Sequence, residues 1–156
     1  MSHTSAVHTY HCLCSTLLLA TPYPISHLQR RAPPSLDHAY ILPLPPLSSR
    51  TSDTTPVADV NHNNLIPTER QSDNENVLPS LLTPNVRPAR KSVVVRRSDG
   101  FEKRKVLRCG RCGIGVGYEI IGVEVAAQGG DRGRVVYLLE GGLVETEDMG
   151  KEDGGL

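Results

Sequence analysis

The chain has very few large apolar side chains, since its 156 residues include no tryptophan, one phenylalanine and two methionines. So little bulk leaves only a small core, and small cores usually need a metal ion or disulfides to hold them together. Long apolar runs are also missing, because no stretch approaches the ~20 residues of a transmembrane helix. We therefore expect no membrane span and a fold that depends on a covalent or metal cross-link.

Signals for secretion are absent as well. No Lys or Arg precedes Arg30, and the longest apolar run before it is residues 17–20, which is shorter than the roughly 7–15 apolar residues of a signal peptide. The chain also contains no Asn-x-Ser/Thr sequon. We expect a cytoplasmic or nuclear protein, in which cysteine pairs are more often metal ligands or catalytic groups than disulfides.

The chain does contain four cysteines in two close pairs, Cys12 with Cys14 and Cys109 with Cys112. The second pair has the Cys-x-x-Cys-Gly spacing of a zinc knuckle, and Cys-x-Cys is a tighter relative of it. Four thiolates surround zinc as a tetrahedron with Zn–S distances of about 2.3 Å and leave no open position, so such a site is structural. We predict that both pairs bind one structural Zn²⁺, with sulfurs about 3.5–4 Å apart, and that the protein is not an enzyme.

Two other interpretations of the cysteines remain open. Cys-x-x-Cys also occurs in thiol oxidoreductases, where the reactive cysteine lies at the N-terminus of a helix. Here Cys112 is followed by glycines at positions 113, 115 and 117, which disfavour a helix. Disulfides or unpaired thiols are the remaining alternative.

The charges balance at 17 basic and 17 acidic residues but are unevenly distributed, since residues 87–112 hold ten basic and two acidic side chains. A zinc ion with four thiolates has a formal charge of about −2, which neighbouring donors must offset. We predict that four side chains surround the sulfurs in this role: His8, Lys105, Arg108 and Arg111.

The rest of the basic segment is predicted to bind a partner. The candidate contact residues are Arg96, Arg97, Phe101, Lys103 and Arg104. A protein partner is one possibility. Since Lys and Arg neutralise phosphates, RNA or a nuclear complex, bound through residues 87–111, is the alternative, and it would make binding strongly salt-dependent.

The pattern of the chain predicts a small β-rich zinc-binding domain with zinc-ribbon-like antiparallel strands. Alternating or β-branched runs predict strands near residues 7–13, 92–95, 101–108 and 134–139. Ser98-Asp99-Gly100 predicts a tight hairpin turn, and residues 140–142 are predicted to turn the last strand back into residues 143–145. These elements form one domain over residues 7–146.

Two segments are predicted not to take part in the folded domain. Residues 43–88 are rich in Pro, Ser and Asn, and such a segment cannot bury enough apolar surface to offset its ordering entropy. We predict a large disordered insertion there. Residues 147–156, acidic and rich in glycine, are predicted to be a frayed tail.

Several motifs resemble one known family. Tyr10-His11-Cys12-Leu13-Cys14 resembles its Tyr-x-Cys-Leu-Cys signature, and residues 37–42 resemble its Asp-x-Ala-Tyr-Val/Ile-Leu segment. Residues 96–103, the Cys-x-x-Cys-Gly at residues 109–113 and residues 135–144 also resemble family segments. On these motifs the chain resembles the STEEP family, the STING ER exit protein family of eukaryotic zinc-site proteins.

The resemblance implies a non-enzymatic adaptor that assists the export of membrane-protein cargo from the endoplasmic reticulum. It would act in the cytoplasm at the surface of that organelle, as a monomer, through protein contacts with cargo or trafficking machinery. The family's long Lys/Glu-rich helical tail has no counterpart before Leu156. Contacts that such a tail makes are therefore not expected of this chain.

Overall fold

The structure is a computed structural model that describes residues 6–45, 80–123, 125–126 and 132–151. Within these ranges the strands are β1 (His8–His11), β2 (Leu17–Thr21), β3 (Tyr40–Leu44), β4 (Leu81–Leu82), β5 (Val86–Pro88), β6 (Val93–Arg97), β7 (Gly100–Cys109), β8 (Gly115–Ile120), β9 (Val125–Ala126), β10 (Arg132–Leu138) and β11 (Val144–Glu145). Short 3-10 helices cover Ile25–His27 and Thr146–Asp148. In this part of the chain no helix is long and apolar enough to span a membrane.

The strands form two antiparallel sheets. The smaller sheet has the order β11-β1-β2-β4, and the larger one has the order β3-β10-β8-β7-β5. In the larger sheet β6 also pairs with β7, and β9 pairs with β10. The prediction of a β-rich antiparallel fold is confirmed.

A single aliphatic core joins the two sheets. Leu18 and Leu19 of β2 are fully buried with Leu42 of β3 and Leu107 of β7. Because β-strands alternate their side chains between faces, a short strand can bury only a few aliphatic side chains. The core is accordingly made mainly of leucine and valine together with Tyr10, and Cys12 and Cys109 are buried at its margin; Phe101 lies outside it.

The ten-residue strand β7 carries both regions described below. One end pairs with β6 across the turn at residues 98–99, so that Arg97 lies opposite Gly100, and this hairpin agrees with the prediction from Asp99-Gly100. The other end pairs with β5 and finishes at Cys109. The strand therefore connects an exposed hairpin tip with the buried end that holds the cysteines.

The predicted bounds of the disordered insertion are too wide. Its outer residues form the end of β3, the strand β4 and the strand β5. Leu44 and Leu82 are buried in the core, so these short segments gain apolar burial, and prolines are accommodated because β3 and β5 are edge strands. The rest of the predicted insertion, residues 46–79, lies outside the described residues.

The chain after β10 also differs from the prediction. The turn at residues 140–142 does not return the chain onto β10, because β11 crosses to the smaller sheet and pairs with β1. Glu145 then contacts His8, with Oε1 2.7 Å from Nδ1. The predicted frayed tail is wrong at its start, since residues 147–148 belong to a 3-10 helix held by a bond from Thr146 Oγ1 to the Thr9 carbonyl; residues 152–156 lie outside the described residues.

Candidate metal centre and ionic cluster

The first cysteine pair lies in the tight turn between β1 and β2. The Cys12 N–H donates to the Thr16 carbonyl at 2.8 Å, and the Ser15 N–H donates to the Cys12 carbonyl at 2.7 Å. Ser15 has a left-handed backbone with φ of +66°. The turn closes within three residues, which keeps Cys12 and Cys14 close together.

The second pair lies in the turn between β7 and β8 and follows the same plan. The Cys109 N–H donates to the Ile114 carbonyl at 2.9 Å, and the Gly113 N–H donates to the Cys109 carbonyl at 2.9 Å. The residue after Cys112, Gly113, is left-handed with φ of +77°. The two knuckles are therefore equivalent turns that differ by one residue in length.

The two turns bring the four sulfurs together. Cys12 Sγ lies 3.4 Å from Cys112 Sγ, and Cys14 Sγ lies 3.7 Å from Cys109 Sγ. All four sulfurs are within 4.8 Å of one another. A tetrahedron with Zn–S distances of about 2.3 Å has edges of about 3.8 Å, so these thiols fit a bound ion and form a candidate metal site.

Three of the thiols have shifted pKa values, and the shifts run in opposite directions. Burial raises the pKa of Cys12 to about 12, whereas the hydrogen bond with Thr16, at 3.2 Å, lowers the pKa of Cys14 to about 6. Burial also opposes ionisation of Cys109, but the N–H groups of Cys112 and Arg111 outweigh it and lower its pKa. Because the thiolate is the metal ligand, metal binding here must displace protons and depends on pH.

Two of the four side chains predicted to surround the sulfurs contact the knuckles. Arg111 donates to the Cys14 carbonyl at 3.1 Å and Arg108 to the Gly113 carbonyl at 2.9 Å, which places positive charge beside both turns. His8 instead contacts Glu145, and Lys105 lies opposite Glu119 in the β7–β8 pairing. Each of these two precedes a cysteine by four residues, about 13 Å of extended chain, so the structure does not place them at the sulfurs.

The left-handed residues of the knuckles lead to a first prediction. We expect Ser15→Gly to raise the free energy of unfolding by about 0.5–1 kcal/mol, because glycine adopts positive φ without the steric cost that a Cβ carries. Gly113→Ala should lower it by about 1–2 kcal/mol for the same reason. Urea denaturation of the metal-loaded protein measures both changes.

The control for this pair is Gly115→Ala. Gly115 is in β8 with no positive φ, and an added Cβ would meet only Val106 Cγ1 at 3.6 Å, an ordinary contact. A loss of stability at Gly115 as large as that at Gly113 would show that loss of glycine, rather than the left-handed backbone, is responsible.

The basic residues of the β6–β7 hairpin are divided between its two faces. Arg96, Phe101 and Lys103 are exposed, as expected for partner contacts. Arg97 and Arg104 instead turn inward and form ion pairs with Glu102. These two arginines alternate with the exposed residues along their strands, so the sheet geometry turns them to the opposite face from Arg96 and Lys103.

Glu102 is the centre of an ionic cluster formed by five side chains: Arg31, Asp37, Arg97, Glu102 and Arg104. The carboxylate accepts two hydrogen bonds from Arg31, at 2.7 and 3.0 Å, one from Arg97 at 2.6 Å and one from Arg104 at 2.5 Å. Arg104 also donates to Asp37 at 2.8 Å. Glu102 is buried, so the cluster is an internal network.

Aromatic rings line one side of the ionic cluster. Tyr118 and Tyr137 stack with ring centroids 5.2 Å apart. The Arg104 guanidinium lies 3.9 Å from the Tyr118 centroid and that of Arg31 lies 4.9 Å from the Tyr137 centroid, within the range of cation–π attraction. The Tyr118 hydroxyl donates to Asp37 at 2.7 Å, so the rings also take part in the hydrogen bonding.

Both carboxylates of the ionic cluster are held in their charged form. The hydrogen bonds from Arg31, followed by those of Arg97 and Arg104, lower the pKa of Glu102 to about 2. Burial opposes ionisation of Asp37, but hydrogen bonds from Ser35 and Tyr118 still lower its pKa to about 2. Three guanidiniums therefore face these two carboxylates, and the exposed Asp99 pairs with Arg97 as a third.

The sequence analysis did not identify Arg31, Asp37 or Glu102 as a functional group. The partners are far apart along the chain, since Arg31 and Glu102 are separated by 71 positions and Asp37 and Arg104 by 67. The available signal was the acidic Glu102 within a basic, alternating strand. An isolated carboxylate on an inward-facing strand position requires positive partners.

Comparison with known families finds a match over nearly the whole chain. The family model described as the STEEP1 domain matches the chain over residues 1–153. The match includes both knuckles and the ionic cluster. A search of curated proteins finds no significant match.

Proposed function

The chain belongs to the STEEP1 domain family, and from that membership we propose that it is a non-enzymatic adaptor that assists export of membrane-protein cargo from the endoplasmic reticulum. The family match over residues 1–153 is the observation that carries this proposal. The adaptor would act at the cytosolic surface of the organelle. Its activity would consist of protein contacts, and the knuckles would hold the contact surfaces in place.

Zinc is the metal that we propose for the four-cysteine site. Thiolates are soft ligands that favour zinc over magnesium or calcium, and four of them would complete the tetrahedron without an open position for a substrate. When bound, the ion would cross-link the β1–β2 turn to the β7–β8 turn, so that each sheet holds half of the site. This arrangement supports a structural role and a non-enzymatic protein.

The alternative functions have weaker support in the geometry. RNA binding would use a basic surface with stacking aromatics, but Arg97 and Arg104 are engaged with Glu102 and the hairpin exposes a single aromatic residue, Phe101. A thiol oxidoreductase would have a helix after its cysteine pair, whereas Cys112 is followed by the strand β8.

The proposed function is tested in cells that express this protein. Depletion should slow the exit of a transmembrane cargo from the endoplasmic reticulum, measured by acquisition of Golgi-type glycans. Re-expression of the wild-type chain should restore the rate, while Cys109→Ser should not, because the metal site would be lost. Leu13→Ser, at an exposed position between the first two cysteines, is the matched control and should restore it.

Unchanged cargo exit after depletion would reject the adaptor role. If Cys109→Ser, present at wild-type protein levels, fully restored cargo exit, the adaptor role would not depend on the metal site. A survey of several cargoes is needed because adaptors discriminate between partners by differences in affinity.

A further inference from the structure

A cleft of about 460 Å³ opens at the tip of the β6–β7 hairpin, beside the ionic cluster. Its cationic lining comes from Arg31, Arg97 and Lys103, and its apolar lining includes Phe101 and Ile121. We call it the tip cleft. Its volume lies in the range of about 300–1,000 Å³ that is typical of ligand sites.

The apolar residues of the tip cleft are unusually exposed. Phe101, the single phenylalanine of the chain, is 78% exposed, and Ile121 and Val123 are 46% and 55% exposed. They come from two neighbouring segments, the start of β7 and the residues after β8, joined by a bond from the Ile121 N–H to the Lys103 carbonyl. Grouped apolar side chains with a polar surround are characteristic of interaction sites.

The tip cleft also has an excess of positive charge. Its lining contains three cations, Arg31, Arg97 and Lys103, and two anions, Asp99 and Glu102, and Glu102 is already shared with Arg104. Lys103 is exposed and forms no ion pair with any residue that the structure describes. An anionic group is therefore the ligand that this lining favours.

Arg97 is the group with incomplete hydrogen bonding. Its Nε atom is buried and makes no hydrogen bond within the described residues; Asp99 Oδ1 lies 3.1 Å from it, while Asp99 Oδ2 accepts a hydrogen bond from Arg97 Nη2 at 3.3 Å. The Asp99 side chain is 56% exposed, and ion pairs with an exposed partner are weak. A carboxylate from outside can replace Asp99 at this edge of the planar guanidinium and accept hydrogen bonds from both Nε and Nη2.

We propose that the tip cleft binds an acidic peptide segment of a partner protein, with a carboxylate at Arg97 and Lys103 and an adjacent aliphatic or aromatic side chain against Phe101 and Ile121. The inference rests on the adaptor role proposed above and assigns a surface and a partner chemistry to it. An extended chain fits because the site is concave and combines apolar and cationic walls. A flat anionic bilayer would meet the Asp99 carboxylate at the rim.

The test uses the full chain and a fluorescent peptide of alternating Glu and Leu, compared with a Gln–Leu peptide of equal length. The acidic peptide should bind at least about tenfold more tightly than its amide counterpart. Lys103→Glu and Phe101→Ser should each weaken its binding by about tenfold or more, as expected at the centre of an interface. Fluorescence anisotropy gives the dissociation constants.

Two matched controls lie outside the tip cleft, one on β6 and one in the segment between β5 and β6. Arg90→Glu repeats the charge reversal at an exposed arginine, and Val94→Ser repeats the apolar-to-polar change at an exposed valine. Both should leave the peptide affinity within about twofold, since contacts outside the site contribute little. Equal losses for Arg90→Glu and Lys103→Glu would overturn the proposal, because they would indicate diffuse electrostatic attraction.

Competing ligands and an atomic readout complete the experiment. An oligouridine RNA and vesicles of phosphatidylcholine with phosphatidylserine should bind more weakly than the acidic peptide; tighter binding of either would overturn the proposal. In NMR titrations the Arg97 Nε–H signal should shift with the acidic peptide and stay in place with the Gln–Leu peptide. If the Arg97 Nε–H signal stayed unchanged while the acidic peptide bound saturably, the peptide would occupy a different site and the proposal would be wrong.

Failure of this inference is distinguishable from failure of the adaptor role. If cargo export depends on the protein and is rescued by Lys103→Glu and Phe101→Ser, the tip cleft is not the partner site but the adaptor role stands. If the tip cleft binds the acidic peptide while depletion leaves export unchanged, the adaptor role fails and the binding site stands.

Discussion

Cys109→Ser should leave the purified protein without bound zinc and largely unfolded. Structural zinc contributes apparent binding free energies of about 10–16 kcal/mol in zinc-finger peptides, comparable to or larger than the ~5–15 kcal/mol by which most domains are stable. Elemental analysis should fall from about one zinc per chain to a small fraction of that. Circular dichroism and urea denaturation should lose the cooperative transition.

The physical reason is the place of Cys109 in the fold. It is buried at the margin of the aliphatic core, and its sulfur lies 3.7 Å from that of Cys14 in the opposite turn. Serine supplies a hydroxyl that does not ionise near neutral pH, so it cannot replace the thiolate ligand. Loss of the ion removes the cross-link between the two sheets, whose shared core contains few large side chains.

Leu13→Ser is the matched control for this experiment. Leu13 is 61% exposed and lies between the two cysteines of the first knuckle, so the variant changes the turn without touching a ligand. It should retain the metal and nearly the full unfolding free energy. Wild-type stability of Cys109→Ser, or of the wild-type chain after chelation, would contradict the structural role of the metal.

Glu102→Gln should destabilise the domain by about 3–5 kcal/mol, the usual effect of removing one partner from a buried ion pair. The amide preserves the shape of the side chain but leaves Arg31, Arg97 and Arg104 close together without their shared counter-charge. Urea denaturation of the zinc-loaded proteins measures the difference. Glu140→Gln is the control, because Glu140 pairs with Arg30 at an exposed position and should cost less than about 1 kcal/mol.

The pH dependence of the difference in unfolding free energy between wild type and Glu102→Gln tests whether the charge of Glu102 causes that difference. The pKa of Glu102 is lowered to about 2 in the folded state, compared with about 4.3 in an unfolded chain. Its stabilising contribution is therefore complete above the unfolded pKa and is lost as the pH falls through the folded one. The gap between wild type and Glu102→Gln should be constant near neutral pH and shrink between about pH 5 and 2.

The comparison between the two proteins is needed because both lose zinc as their thiolates protonate at low pH. The difference is therefore followed from neutral pH downward for as long as both proteins keep the metal and a cooperative unfolding transition. A gap that does not begin to shrink below about pH 5, while both proteins still unfold cooperatively, would mean that the charge of Glu102 is not the source of its stabilising effect.

The parts of the structure that were predictable are those set by neighbouring residues. The turn at Asp99-Gly100 and the alternation on both sides of it define the β6–β7 hairpin, because turn chemistry and strand periodicity act over a few residues. The spacing within each cysteine pair likewise indicates a knuckle. The joining of the two pairs follows from the ligand number of a tetrahedral site, which two cysteines alone cannot fill.

The parts that were missed depend on residues far apart in the chain. Residues 81–82 and 86–88 have the composition of a loop, yet they form strands because an edge of each sheet is available and Leu82 finds a place in the core. Likewise β11 leaves its predicted partner β10 for β1. Local composition does not specify these pairings, since the partner strand supplies half of every hydrogen bond.

The cysteine spacing and the strand pattern thus define the knuckles, the β6–β7 hairpin and the chemistry of the candidate metal site, because those properties depend on residue type and short-range geometry. Which basic residues stay exposed and which enter the ionic cluster is a different matter. Arg96 and Lys103 stay exposed while Arg97 and Arg104 are drawn inward by Glu102, although all four look alike in a basic segment. The folded arrangement separates them because a buried carboxylate must find positive partners, and these come from positions that meet across the packed sheet.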